Sequence, residues 1–231
     1  MNPGLGLERP LCLTGLHHRS PWQGMGMGNI NVSRGQGELF RGILVVLGAP
    51  ASGKTTVAER LASITGCSYL NVGSLAKERG YILGKDEERN SLILDEEAVL
   101  GELRELCKKM HCLIVETISP TTIPEDLVSI VIAVRCRPSV LLSRLKERGY
   151  SPSKIRENVE YEAVDGPLYD ALQLAEEGRI VEIDGCEGDL DSEIERILDA
   201  VRGESHRLGR FNWSEDFMSV LDALSHMDFG Q

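Results

Sequence analysis

Residues 43–56 read Ile-Leu-Val-Val-Leu-Gly-Ala-Pro-Ala-Ser-Gly-Lys-Thr-Thr. Five aliphatic residues, Ile43 to Leu47, run straight into Gly48-x-x-x-x-Gly53-Lys54-Thr55. The apolar run is a buried strand. The glycine loop after it wraps a phosphate chain with backbone N–H groups, Lys54 reaches the terminal phosphates, and Thr55 offers a hydroxyl to Mg²⁺. A helix follows, with Val57, Leu61 and Ile64 on one face and Gly66 at its end. Its N-terminus adds partial positive charge to the same site. Strand, loop and helix in succession predict a nucleotide site built from Gly48, Ala51, Ser52, Gly53, Lys54, Thr55 and Thr56.

The rest of the chain supports one sheet around that strand. From Arg41 onward, strands and helices alternate. Strands are predicted at 42–47, 68–71 (leading into Val72–Gly80), 112–116, 129–135 and 179–183, and helices at 54–65, from Asp95 through Met110, from Pro138, over 152–177 with a break at Gly166-Pro167, and at 190–202. This alternation gives an α/β fold of three layers: a central parallel sheet with helices on both faces, and the ligand at the C-terminal ends of the strands. The domain is predicted over 39–202. Residues 1–38 hold eight of the 24 glycines without apolar periodicity and read as a disordered leader; the His17-His18 pair in it lacks metal-binding partners. Residues 203–231 read as a C-terminal tail. In it Asn212 and Glu215 resemble a capping box, and Trp213, Phe217, Val220, Leu221 and Leu224 share a helical face. That face suits packing on the same domain, or docking to a partner.

Net charge is −11, which disfavours a sequence-independent grip on nucleic acid and favours a basic protein partner. No apolar run of 18 residues suggests a membrane span, and no secretory signal is evident. The six cysteines show neither Cys-x-x-Cys pairs nor zinc spacing, so buried reduced thiols and a reducing compartment are expected: cytoplasmic, or nuclear in a eukaryotic cell.

Phosphate binding alone does not choose among nucleotide-dependent activities. Arg144 and Arg148 lie four residues apart on one helix, so both guanidinium groups can face the same way. Followed by Gly149-Tyr150 and a polar stretch, they suit a flap closing over phosphates; a solvated helix face paired to Glu147 fits the same spacing. The set Gly48–Thr56, Asn71-Val72-Gly73 with Leu75 to Glu78, Asp86 to Glu88, Leu94 to Glu96, and Arg148-Gly149-Tyr150 through Asn158 resembles the adenylate kinase isoenzyme 6 family, over about Arg41–Val201.

The resemblance implies a P-loop nucleoside monophosphate kinase turning ATP and AMP into two ADP. It also implies ATPase activity, and assistance to small-ribosomal-subunit maturation through a ribosomal protein. By motif, Asn71, Val72 and Gly73 open a monophosphate-binding region over about 71–94. Residues 147–157 form a short lid without cysteines, with Arg148 on ATP. Lys54, Arg144 and Arg148 are then the catalytic cations, and Thr55 with Glu116 the Mg²⁺ residues. The chain departs from the family at Glu116-Thr117-Ile118, where an Asp-x-His motif is usual. A carboxylate remains and the imidazole does not, which implies a poor ATPase that can still be a kinase. Two alternatives stay open: a nucleotide-switched ribosome-assembly factor, and a small-molecule kinase acting on a hydroxyl, for which Asp86 and Glu87 are candidate bases by composition only.

Overall fold

Five parallel strands lie in the order β2-β5-β1-β6-β7, so the strand that feeds the glycine loop is the middle one. They are β1 (Gly42–Leu47), β2 (Ser68–Asn71), β5 (Cys112–Glu116), β6 (Val128–Arg135) and β7 (Ile180–Asp184). The structure is a computed structural model and describes residues 41–86, 91–204 and 207–226. The expected leader lies outside the described residues.

β1 is apolar throughout because both of its faces are covered. Ile43, Val45 and Leu47 pack with Val99 and Leu103 of α3 (Glu96–Lys109) and with Ala171 and Leu174 of α6 (Gly166–Leu174). Leu44 and Val46 pack with Val57 and Leu61 of α1 (Lys54–Thr65) and with Ile194 and Ile197 of α7 (Leu190–Val201). A third cluster joins Ala49 and Ala51 of the loop to Leu141 and Leu145 of α4 (Pro138–Glu147), Ile155 and Val159 of α5 (Pro152–Ala163), and Val220 and Leu224 of α8 (Ser214–Ser225). The helix break falls between α5 and α6, as Gly166-Pro167 requires. An antiparallel hairpin of β3 (Ile82–Asp86) and β4 (Ser91–Leu94) follows α2 (Val72–Arg79). Alternation with helices gave no signal for it, since neither short strand belongs to the main sheet.

α8 packs its apolar face onto α4 and α5. The predicted Asn212/Glu215 capping box does not form. Trp213 is drawn into the core, the helix starts at Ser214, and Asn212 Oδ1 accepts only from the Ser214 N–H, at 3.1 Å. The capping role of this helix runs outward instead: Asp216 accepts from the N–H and hydroxyl of Ser139, both at 2.8 Å, and so caps the start of α4.

Reduced thiols were the expectation for the cysteines, and the structure overturns it for four of them. Cys67 is bonded to Cys112 and Cys136 to Cys186, each with Cα atoms 5.2 Å apart. Cys107 is free. The pairing follows from strand order. Cys67, just before β2, comes opposite Cys112, which opens the neighbouring β5, and Cys136 and Cys186 follow neighbouring strands β6 and β7. The partners are 45 and 50 residues apart, so no short spacing betrays them. Closing loops of that length is worth about 2–4 kcal/mol per bridge. A dithiol reductant is therefore expected to lower the melting temperature by roughly 10 °C or more. An unchanged melt, together with five or more titratable thiols in the unreduced protein, would argue against both bridges.

Candidate functional site

The loop between β1 and α1 is shaped by close backbone packing. A Cβ on Gly53 would strike the Gly185 carbonyl oxygen, and one on Gly48 would strike that of Val134. Ala51 sits at a φ of 67°, a strained choice for a non-glycine residue that is held by its burial. Ser52 is fully buried and its hydroxyl has no hydrogen-bond partner, which leaves a polar atom in the loop for a ligand to satisfy.

Lys54 opens α1 and is buried, with its Nζ donating to the Ala49 carbonyl at 2.8 Å. Burial pulls its pKa down to about 8; Glu116 opposes the shift and Arg148 adds to it. Thr55 is exposed, and its hydroxyl donates to both oxygens of Glu116, at 3.0 and 3.1 Å. Glu116 is the last residue of β5 and is buried. It also accepts from the hydroxyl of Tyr69, whose pKa rises out of the ordinary range through burial and this carboxylate. The donors at this point are hard oxygens, one carboxylate and one hydroxyl. That set fits Mg²⁺, which keeps several waters and takes few protein ligands.

Above the loop lies a cleft of about 560 Å³. It is lined by Gly48 and Pro50 of the loop, by Ser91 and Ile118, and by Arg148, Gly149, Tyr150, Ser151, Lys154, Glu157, Asn158 and Tyr161 from the α4–α5 region. The turn between α4 and α5 thus brings the predicted lid to the phosphate loop. Arg148 lines the cleft, and its charge reaches Lys54. Arg144, one turn earlier, points elsewhere. Its guanidinium donates to the carbonyls of Ala51, Gly185 and Cys186, at 3.3, 3.4 and 3.0 Å, and braces the loop from outside. Ile118 stands in the cleft 66% exposed, an apolar side chain where the resemblance leads one to expect an imidazole.

Of the predicted site residues, Gly48 and Arg148 are among the described residues lining the cleft, whereas Ala51, Ser52, Gly53, Lys54, Thr55, Thr56, Glu116 and Arg144 are not, and Asn71, Val72 and Gly73 lie on a different segment. Asn71 Oδ1 caps α2 by accepting from the Ser74 N–H, Val72 is buried in the core, and Gly73 is exposed. None of the three is among the described residues lining the cleft. Asp86 ends β3, and Glu87 lies outside the described residues. Tyr69 is the residue that sequence reasoning missed. Its only signal was a position two before Asn71, on the strand that proves to neighbour β5.

A family model described as an AAA domain matches residues 44–165. A protein of Thermococcus kodakarensis named "Putative adenylate kinase" is 36% identical over 186 residues, spanning 79% of this chain and 98% of its own. Its Pyrococcus furiosus counterpart is 34% identical over 183 residues, spanning 79% and 97%. The Saccharomyces cerevisiae protein named "Adenylate kinase isoenzyme 6 homolog FAP7" is 34% identical over 157 residues, spanning 67% and 79%. The chain belongs to the adenylate kinase isoenzyme 6 family. Family membership and the cleft agree on a phosphotransferase of the P-loop kinase fold. The shikimate kinase of Acinetobacter baumannii, solved with shikimate, is similar at a TM-score of 0.48 and 17% identity, over 70% of this chain and 93% of its own. Among the described residues no helix is long and apolar enough to cross a membrane.

Proposed function

We propose that this protein is a nucleoside monophosphate kinase of the adenylate kinase type, moving the terminal phosphoryl of ATP onto AMP to give two ADP. The observation that carries the reading is the cluster of Lys54, Thr55 and Glu116 behind the phosphate loop, with Arg148 lining the adjoining cleft near enough for its charge to act on Lys54. The loop N–H groups and the α1 N-terminus hold the donor phosphates. Lys54 leaves the Ala49 carbonyl for them, its charge then matched by anionic oxygens rather than by burial. Arg148 comes in on the flap and opposes charge on the migrating group. Arg144, bonded to three carbonyls, keeps the loop in shape; a direct role on the phosphoryl requires it to release them. Mg²⁺, when bound, neutralises phosphate oxygens, and Thr55 and Glu116 would hold it. The remaining work is alignment of donor and acceptor and exclusion of water, which suits phosphoryl transfer.

Ile118 favours a nucleotide acceptor over water, because no imidazole stands there to orient or deprotonate a water molecule. A positioned acid–base group is worth about 10²–10⁴-fold. ADP release from ATP alone is therefore expected to be about 100-fold or more slower than ADP formation from ATP with AMP. A product assay of ATP against a panel of monophosphates, with an ATP-only control, tests this. No ADP above the ATP-only rate with any monophosphate would remove the kinase reading.

A second reading is supported by the net charge of −11: a nucleotide-dependent role in small-subunit maturation through a basic ribosomal protein. The buried face of α8 does not serve it, so the partner surface would be an acidic one. Affinity capture without enrichment of small-subunit proteins would count against it.

A further inference from the structure

Glu116 is gripped from two sides. Thr55 donates to it from α1, and the Tyr69 hydroxyl donates to Oε2 from β2. In the parallel pairing of β2 with β5, Asn71 lies beside Glu116 and Tyr69 beside Ile114. Side chains two apart share a face, so the tyrosine ring lies along the face that carries α1 and ends at the carboxylate. The Glu116 side chain has three rotatable bonds and lies near the buried ammonium of Lys54, which competes for it. A threonine hydroxyl that turns its lone pairs toward a cation must send its proton elsewhere, and the carboxylate is the acceptor for it.

We propose that Tyr69 is a positioning residue of the phosphate site. Its hydroxyl fixes the Glu116 carboxylate so that Thr55 donates to it and keeps its own lone pairs for Mg²⁺. Tyr69 acts through Glu116 and touches neither nucleotide nor reacting atoms. The assignment deepens the reading of Thr55 and Glu116 as the Mg²⁺ residues and rests on it.

The test is calorimetric titration of the full chain with a non-hydrolysable ATP analogue, with and without Mg²⁺. Tyr69→Phe, which deletes one oxygen and keeps the ring, is compared with Glu116→Gln and with the double variant. Tyr69→Phe is expected to hold metal-free affinity within about twofold and to cut the Mg²⁺-dependent gain in affinity about 10-fold, the low end for losing the partner of a metal ligand. The double variant is expected to match Glu116→Gln. A full Mg²⁺ gain in Tyr69→Phe alongside a defective Glu116→Gln overturns the role of Tyr69 and leaves the metal reading standing. Affinity lost equally with and without Mg²⁺ marks a merely structural tyrosine and also overturns it. A full gain in Glu116→Gln overturns both.

Discussion

Replacing Lys54 with alanine is expected to lower ADP formation from ATP and AMP by about 10³-fold, the upper range for removing one preorganised charge stabiliser. The expectation rests on where the ammonium sits. It is buried at the first turn of α1, within reach of Glu116, and its one hydrogen bond is to a loop carbonyl. A charge that makes no salt bridge among the described residues is disfavoured there by burial, which pulls its pKa down to about 8. Phosphate oxygens supply the missing counter-charge, so the site is poised to gain from binding an anion. The same shift sets a pH dependence. Below about pH 8 the lysine is protonated and attracts the nucleotide; above it the free protein holds a neutral amine and affinity falls. Alanine at 54 removes the buried charge, and the Ala49 carbonyl keeps the Ser52 N–H as its donor at 3.2 Å, so no buried polar group is left unpaired. The variant should therefore still fold. Steady-state kinetics with a thermal melt check both statements, and a folded variant retaining a tenth of wild-type turnover would remove Lys54 from its role.

Truncation after Val201 is expected to cost the largest share of stability. The segment beyond α7 satisfies carboxylates that the core has already buried. Glu182 of β7, fully paired on one side with Arg135, accepts from the backbone N–H groups of Gly209 and Arg210, at 2.6 and 3.2 Å. Glu193 of α7 is buried and is held by both terminal nitrogens of Arg210. Arg135 itself is fully buried, bonded to Glu162 and Glu182 and covered by the Phe211 ring at 5.7 Å. Burial lifts Glu162 to about 7 against the pull of Arg135, a sign of how little solvent reaches this cluster. Removing one partner of a buried charge costs about 3–5 kcal/mol. The truncation takes the two-point Arg210 contact from Glu193, leaving it Arg196 at 3.7 Å, and strips the N–H donors from Glu182, besides exposing the face of α4 and α5 that α8 covers. A loss of at least 5 kcal/mol is expected, against a usual total of about 5–15, with the melting temperature down by about 10–20 °C. Arg210→Ala isolates the charge component and should account for roughly half. A truncated protein that melts with the full chain would mean these contacts add nothing.

Much of this architecture was legible in the chain because it is local. The strand, loop and first helix need nothing outside residues 42–66, and each of their signals lies within one turn or one strand. The turn between two helices that carries Arg148 was legible because the residues starting each helix are plain. Asn71, expected as a ligand residue, caps α2 in the structure; a capping asparagine and a binding asparagine look alike without neighbours. Arg144 shows the same ambiguity, since a four-residue spacing puts two arginines on one face but does not say what stands opposite each.

The sequence by itself determined the phosphate loop, the parallel sheet and the family, because spacing along the chain is enough to specify each. Only the tertiary structure decided that Tyr69 meets Glu116, that four cysteines pair across neighbouring strands, and that α8 closes over the helices carrying the flap. Those contacts join residues 45 to 85 or so positions apart. Which of them meet depends on the order of strands in the sheet, and that order is settled by packing both faces of β1 rather than by any local pattern.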